Sequence, residues 1–125
     1  MSISPQAIRD LEADINEHLE QDRAEMSFTF HAGIERLNDP RNGTPITLRE
    51  LESLLHEFIK VHLQTVLTLN HGDTFTIRCN QSHINMPCTI EIDLRFGKQW
   101  IIQNVVTIMR KAGFISKDAL ILEIN

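Results

Sequence analysis

Apolar positions recur along this chain with two different periods, and the change from one to the other falls near its middle. Ile8, Leu11, Ile15 and Leu19 are spaced by three and four behind Ser4 and Pro5, which predicts a capped amphipathic helix from Pro5 to near Ala24. A short alternating stretch, MSFTF, follows. It runs into HAGIERLNDP, where Ala32, Ile34 and Leu37 predict a brief helix that Pro40 stops, with Thr29 placed to cap it and His31 in its first turn. The segment DPRNGTPIT packs two prolines and an Asn-Gly pair into a few residues and reads as an ordered, turn-rich loop. Thr47 and Glu50 form a T-x-x-E capping box for a strong helix, LRELESLLHEFIKVHL, with Leu51, Leu54, Leu55 and Phe58 on its apolar side. After His62 the period shortens to two. QTVLTLN, DTFTIRCN, CTIEIDLRF, QWIIQNVVTIM and a short ALILEI read as strands, and the turn signals at Asn70–Asp73 and Phe96–Lys98 predict antiparallel hairpins. Helices first and a meander second give an α+β fold, with the N-terminal helices packed on one face of an antiparallel sheet.

Composition adds limits. A length of 125 residues suits one domain, 1–125, and 42% hydrophobic with 23% charged residues excludes a disordered or fibrous chain. No run approaches the roughly 18 apolar residues of a membrane span, and the first residues lack a basic-then-apolar export pattern, so a cytoplasmic location without a membrane partner is expected. The net charge of −5 is unevenly spread: residues 1–25, the acidic N-terminal helix, hold seven acids against Arg9 and Arg23, whereas the rest holds ten acids and ten bases. A balanced body of this kind can still present a local basic face to phosphate.

The chain has no P-loop, dinucleotide fingerprint or H-E-x-x-H motif. Cys79, His83 and Cys88, with His71 nearby, offer four ligand types but no C-x-x-C pair. Both cysteines lie in strand-like runs, where a cysteine usually packs as a small hydrophobe, so no metal or cofactor is assigned. His31 and His56 differ from the other four histidines because each sits on a helix near basic residues, Arg36 in one case and Arg49 and Lys60 in the other. Two histidines flanking a phosphodiester can act as base and acid, with Arg or Lys stabilising the charge that builds on phosphate. Spacing alone is better fitted by two half-buried histidines with backbone partners.

The segment FTFHAGIERLNDPRNG…TLRELESLLHEFIKVH resembles the RegB-type bacteriophage endoribonucleases, relatives of the RelE, ParE and BrnT toxin domains. That resemblance implies a RelE/RegB-like fold and RNA cleavage, with His31 and His56 matching the two catalytic histidines and Arg36 near the matching arginine. Over about three quarters of its length the chain is also similar to a group of phage-encoded proteins with H-x4-R-[LV]-N-D-x-R-N-G and T-[IV]-M-R-K motifs, which bring no activity with them. It carries these as His31, Arg36, Asn38, Asp39, Arg41, Asn42 and Gly43, then Thr107, Met109, Arg110 and Lys111. The expectation is a metal-independent endoribonuclease in which a ribose 2′-hydroxyl attacks the adjacent phosphate to leave a 2′,3′-cyclic phosphate. His31, His56 and Arg36 would be catalytic, and Arg41, Arg49, Arg110 and Lys111 would bind the RNA phosphates. Messenger RNA is the expected partner, with the ribosome or a host bacterial protein as further candidates, in a bacterial host cytoplasm. Two alternatives stay open: a non-enzymatic phage protein that blocks a host protein through its acidic first helix, and a nucleic-acid-binding regulator without turnover.

Overall fold

The computed structural model describes residues 3–125, so the first two residues of the segment read as acidic helix lie outside it. Helix α1 spans Pro5–Leu19, with the Ser4 hydroxyl accepting the Ala7 amide, and buries Ile8, Leu11, Ile15 and Leu19. It stops earlier than the expected Ala24: a 3-10 turn, Glu20–Asp22, and a left-handed Arg23 turn the chain into strand β1, Ala24–Phe28. The capping box forms as expected and opens helix α2, Leu48–Val66. Gln64–Val66, expected to start a strand, is the last turn of that helix, because Val66 is fully buried and prolongs the apolar row of Leu55, Phe58 and Leu63. The Asn70–Asp73 turn therefore joins a helix to a strand and does not close a hairpin.

Strands β2 (Thr74–Cys79), β3 (Ile84–Arg95) and β4 (Lys98–Val105) form the antiparallel centre of the sheet, and β3 and β4 meet at a two-residue turn with positive φ at Phe96 and Gly97. Strand β3 begins at Ile84, four residues before the expected run, and contains Pro87. The Pro87 carbonyl accepts the Val106 amide just past the last β3–β4 pair, Cys88 with Val105, so the missing N–H points to a side where the ladder has ended. The expectation of an antiparallel sheet needs correction at both edges. The strand order is β1-β4-β3-β2-β6, with β6 at Ile121–Ile124, and β1 runs parallel to β4 while β6 runs parallel to β2. The fold is α+β with a mixed sheet.

One sheet face meets the helices. Met26, Ile90, Cys88, Met86, Phe75 and Ile77 lie on it, and Phe58 of α2 stacks on Phe75 at 6.1 Å. Helix side chains also close the sheet edges. Asn16 of α1 accepts the Met26 amide at 2.7 Å and donates to its carbonyl at 3.1 Å, Glu12 accepts the Phe28 amide, and the His62 ring nitrogen Nε2 donates to the Glu123 carbonyl at 2.7 Å. On the opposite face, residues 111–120 cross β2 and β3 as a strap. Arg78 donates to the Phe114 carbonyl, the Asn85 amide donates to the Lys111 carbonyl, and Thr76 donates to Asp118. Ahead of the strap, a two-residue strand β5, Met109–Arg110, pairs with the start of β3. That pairing carries Arg110 and Lys111 to one end of the sheet.

Candidate functional site

His31 opens a six-residue π-helical turn, His31–Arg36, in which the Leu37 amide reaches back five residues to the Ala32 carbonyl. Its start is tied by Thr29, whose hydroxyl accepts the Ala32 amide and whose carbonyl accepts the Gly33 amide. Gly33 lets this wide turn press onto its neighbours: a Cβ there would stand 3.3 Å from Ile8 Cγ2 and 3.4 Å from Phe28 Cβ. A π turn of this kind swings a side chain away from the register of a regular helix, and such turns are frequent at functional sites.

The His31 ring is held from both sides. Arg36 Nε donates to Nε2 at 3.1 Å, and Nδ1 lies 3.3 Å from the Glu35 carboxylate. Because the arginine can only donate, this hydrogen-bond geometry assigns the ring hydrogen to Nδ1 and leaves Nε2 as the basic nitrogen. The arrangement is a carboxylate–imidazole pair whose free lone pair is covered by a guanidinium.

Asp39 and Asn42 fix what lies next to it. Asp39 caps the 3-10 turn Pro40–Asn42 and accepts from the Arg41 amide and, at 2.7 and 3.0 Å, from the Arg41 guanidinium, while Arg36 donates at 3.3 Å to the same oxygen, Oδ2. The Arg41 hydrogen bonds pull the Asp39 carboxyl down to about 2, so it is an anion at every ordinary pH. Asn42 is buried and bonds three ways: its amide donates to the carbonyls of Arg36 and Leu37, and its carbonyl oxygen accepts the Arg110 amide at 3.0 Å. That one side chain locks the π turn, the loop and β5 together.

These segments enclose an open cavity of about 480 Å³, lined by His31, Arg36, Asp39, Arg41, Asn42 and residues 107–111. It brings together five residues that the sequence singled out, His31, Arg36, Arg41, Arg110 and Lys111. Of its cations, Arg41 and Lys111 are exposed, the Arg41 side chain to 73%, and Lys111 makes no ion pair among the described residues.

Arg110 lines the cavity but its guanidinium is spent. Its Nε donates to the Thr44 carbonyl, Nη1 to Ser82 and Glu50, and Nη2 to Pro45 and Glu50, which uses all five N–H donors inside the protein. Glu50 in turn is held below the usual glutamate range, chiefly by these Arg110 hydrogen bonds. Arg110 is a staple between β5, the 44–45 loop and α2, where the sequence reading expects a phosphate clamp. Arg49 lines a different cavity, of about 600 Å³, behind Arg110 and together with Glu50, Ser53, Glu57 and His83.

His56 does not join His31. Among the described residues it does not line the His31 cavity; it sits half-exposed on α2 against α1, with Nε2 3.6 Å from Asp14 and its ring edge-on to His18. The cysteine and histidine set also stays apart: Cys79 and Cys88 are buried free thiols, burial pushes the Cys88 thiol up, and they form no ligand cluster with His71 or His83 among the described residues. Sequence reasoning missed Glu35, Asp39 and Asn42 as supports of the cavity. Asp39 had a local signal, an Asp directly before Pro at a helical start; Glu35, one turn after His31, had only its i,i+4 spacing. No helix among the described residues is long and apolar enough to cross a membrane. Comparison with protein-family models, with curated proteins and with solved structures finds no match to this chain.

Proposed function

We propose that this protein is an endoribonuclease of the RegB and RelE kind and that the His31 cavity holds the scissile phosphodiester. The observation that carries this reading is the convergence of His31, Arg36 and Arg41, from one turn-rich segment, with the distant Lys111 around one open cavity. An incoming phosphate draws the Arg36 guanidinium off His31, which frees Nε2 to take the proton of the ribose 2′-hydroxyl. The 2′-oxygen then bonds to phosphorus and the bond to the 5′-oxygen breaks, giving a 2′,3′-cyclic phosphate and a 5′-hydroxyl. Lys111 stands in this scheme as the donor to the departing 5′-oxygen, Arg36 and Arg41 balance the charge on the phosphoryl oxygens, and Glu35 steadies the imidazolium through Nδ1–H. His56 has no part in it.

The test is to incubate the protein with end-labelled RNAs, with and without ribosomes, and to map cyclic-phosphate ends. Wild type and His56→Ala are expected to cut alike, and His31→Ala to lose roughly 10²- to 10⁴-fold in rate, the usual contribution of a positioned base. RNA left whole by the wild type under all these conditions overturns the reading. A second reading, RNA binding without turnover, is favoured by the presence of one histidine in the cavity where the sequence expectation needed two. It predicts intact RNA and a salt-dependent gel shift that Arg41→Ala and Lys111→Ala weaken.

A further inference from the structure

His18 and His56 are used by nothing described so far, yet they meet at the seam between the two long helices. Asp14 and His18 are one turn apart on α1 and so project from one face of it, and His56 reaches them from α2. The two imidazoles stand with centroids 5.2 Å apart and planes at 84°, Asp14 Oδ2 lies 3.6 Å from His56 Nε2, and one donor atom from each of the three residues lies within 4.8 Å of the other two.

We propose that Asp14, His18 and His56 form a site for a divalent transition-metal ion of the Zn2+ type, joining α1 to α2. The spacing between Asp14 and His56 is too long for a good hydrogen bond, but it is close to the separation of two ligands sharing an ion. Donor atoms bonded at about 2.1 Å around a tetrahedral ion stand about 3.4 Å apart. Two imidazole nitrogens and one carboxylate oxygen select a borderline ion such as Zn2+ over Ca2+ or Mg2+, which call for oxygen donors. All three residues are exposed, so rotation of the His18 and His56 rings about χ2 meets no packed neighbour's resistance from the core, and water can fill the remaining coordination positions. The ion would tie the acidic first helix to the helix that carries Glu50, the anchor of Arg110. This site is separate from the His31 cavity, and the proposal does not depend on RNA cleavage.

The experiment is a calorimetric titration of Zn2+ into the EDTA-treated full chain in a non-chelating buffer, with Co2+ absorption spectra and thermal melts in parallel. One saturable site per chain is expected, with a melting temperature raised by Zn2+ and Co2+ bands in the visible. Each of Asp14→Asn, His18→Asn and His56→Asn is expected to lower the affinity at least about tenfold, since even outer-shell partners are worth that much. These are surface positions on helices, and far-ultraviolet circular dichroism of the metal-free variants checks that they fold. Failure of the wild type to bind in a saturable way overturns the proposal. So does binding that survives in the His18→Asn/His56→Asn double variant, which would place the ion elsewhere, at His31 or at the thiols.

Discussion

Replacing Arg110 by lysine separates the two roles that its position allows. The change keeps the positive charge, so a residue whose task is to attract phosphate should tolerate it. The guanidinium, however, makes five hydrogen bonds, three to the carbonyls of Thr44, Pro45 and Ser82 and two to the Glu50 carboxylate, in a place where its side chain is only 14% exposed. An ammonium has three donors and cannot span that fork, so at least two acceptors lose their partner. With about 0.5–1.5 kcal/mol for each neutral bond and more for one to a charged group, Arg110→Lys should cost about 2–4 kcal/mol. That is a large share of the ~5–15 kcal/mol that holds a domain folded. Urea unfolding at pH 7 is the assay, read as a lower midpoint at unchanged slope. A double-mutant cycle with Glu50→Gln should show strong coupling between the two sites. A loss below about 1 kcal/mol, with RNA affinity kept by Arg110→Lys and lost only in Arg110→Ala, would refute the staple and favour a phosphate-binding role for Arg110.

Acid sensitivity follows from the two depressed carboxyls. Asp39 and Glu50 both bind protons less readily in the folded chain than in the unfolded one, so their stabilisation is complete above the ordinary carboxylate range and is lost as pH falls through their folded values. Stability measured by urea melts should therefore fall more steeply between pH of about 4 and 2 in wild type than in an Asp39→Asn/Glu50→Gln variant. Asn16→Ala removes both hydrogen bonds that close the β1 edge at Met26; it should cost about 1–2 kcal/mol and bring on concentration-dependent association, visible by light scattering. Gln103 is fully buried among Met26 and Ile90 on the helix-facing side of the sheet; its Nε2 makes one long bond, 3.4 Å to the Glu25 carbonyl, and its Oε1 has no partner among the described residues. Gln103→Met keeps the volume and removes the orphan, so it should leave thermal stability unchanged or raise it by about 1 kcal/mol.

Features written in local chemistry were legible in advance. Pro5 behind Ser4, the Thr47–Glu50 capping box and the Phe96–Gly97 turn each depend on neighbours within three residues, and each appears in the structure where the sequence put it. Features that depend on distant partners were not. Nothing in residues 24–28 states that they will pair in parallel with residues 101–105, and the alternation of MSFTF is the same for either direction. The end of α2 shows a contest between two signals: Thr65 and Val66 favour strand by their branching, but Val66 falls on the buried stripe of the helix, and burial decided the outcome.

The site divides along the same line. His31, Arg36 and Arg41 lie within eleven residues, and the loop chemistry of Asp39 and Asn42 suffices to hold them together; Lys111 joins them because the T-I-M-R-K stretch pairs with the start of β3. Of the residues expected to share their work, Arg49 faces the other cavity, and His56 and Arg110 have surroundings set by tertiary packing. A helix face told where His56 could point but not which neighbour it would meet, and that neighbour is α1, with Asp14 and His18 already presented one turn apart. For Arg110 the decisive residue was in plain view, since Glu50 was read as the closing member of a capping box. Its carboxylate does that by accepting the Thr47 amide, and it spends its remaining capacity on the guanidinium 60 residues away. A side chain with two oxygens can serve a local motif and a distant partner at once, and the local motif alone is visible in the sequence. The chemistry that remains available in the cavity is therefore that of His31, Arg36, Arg41 and Lys111, and any activity of this surface rests on one histidine.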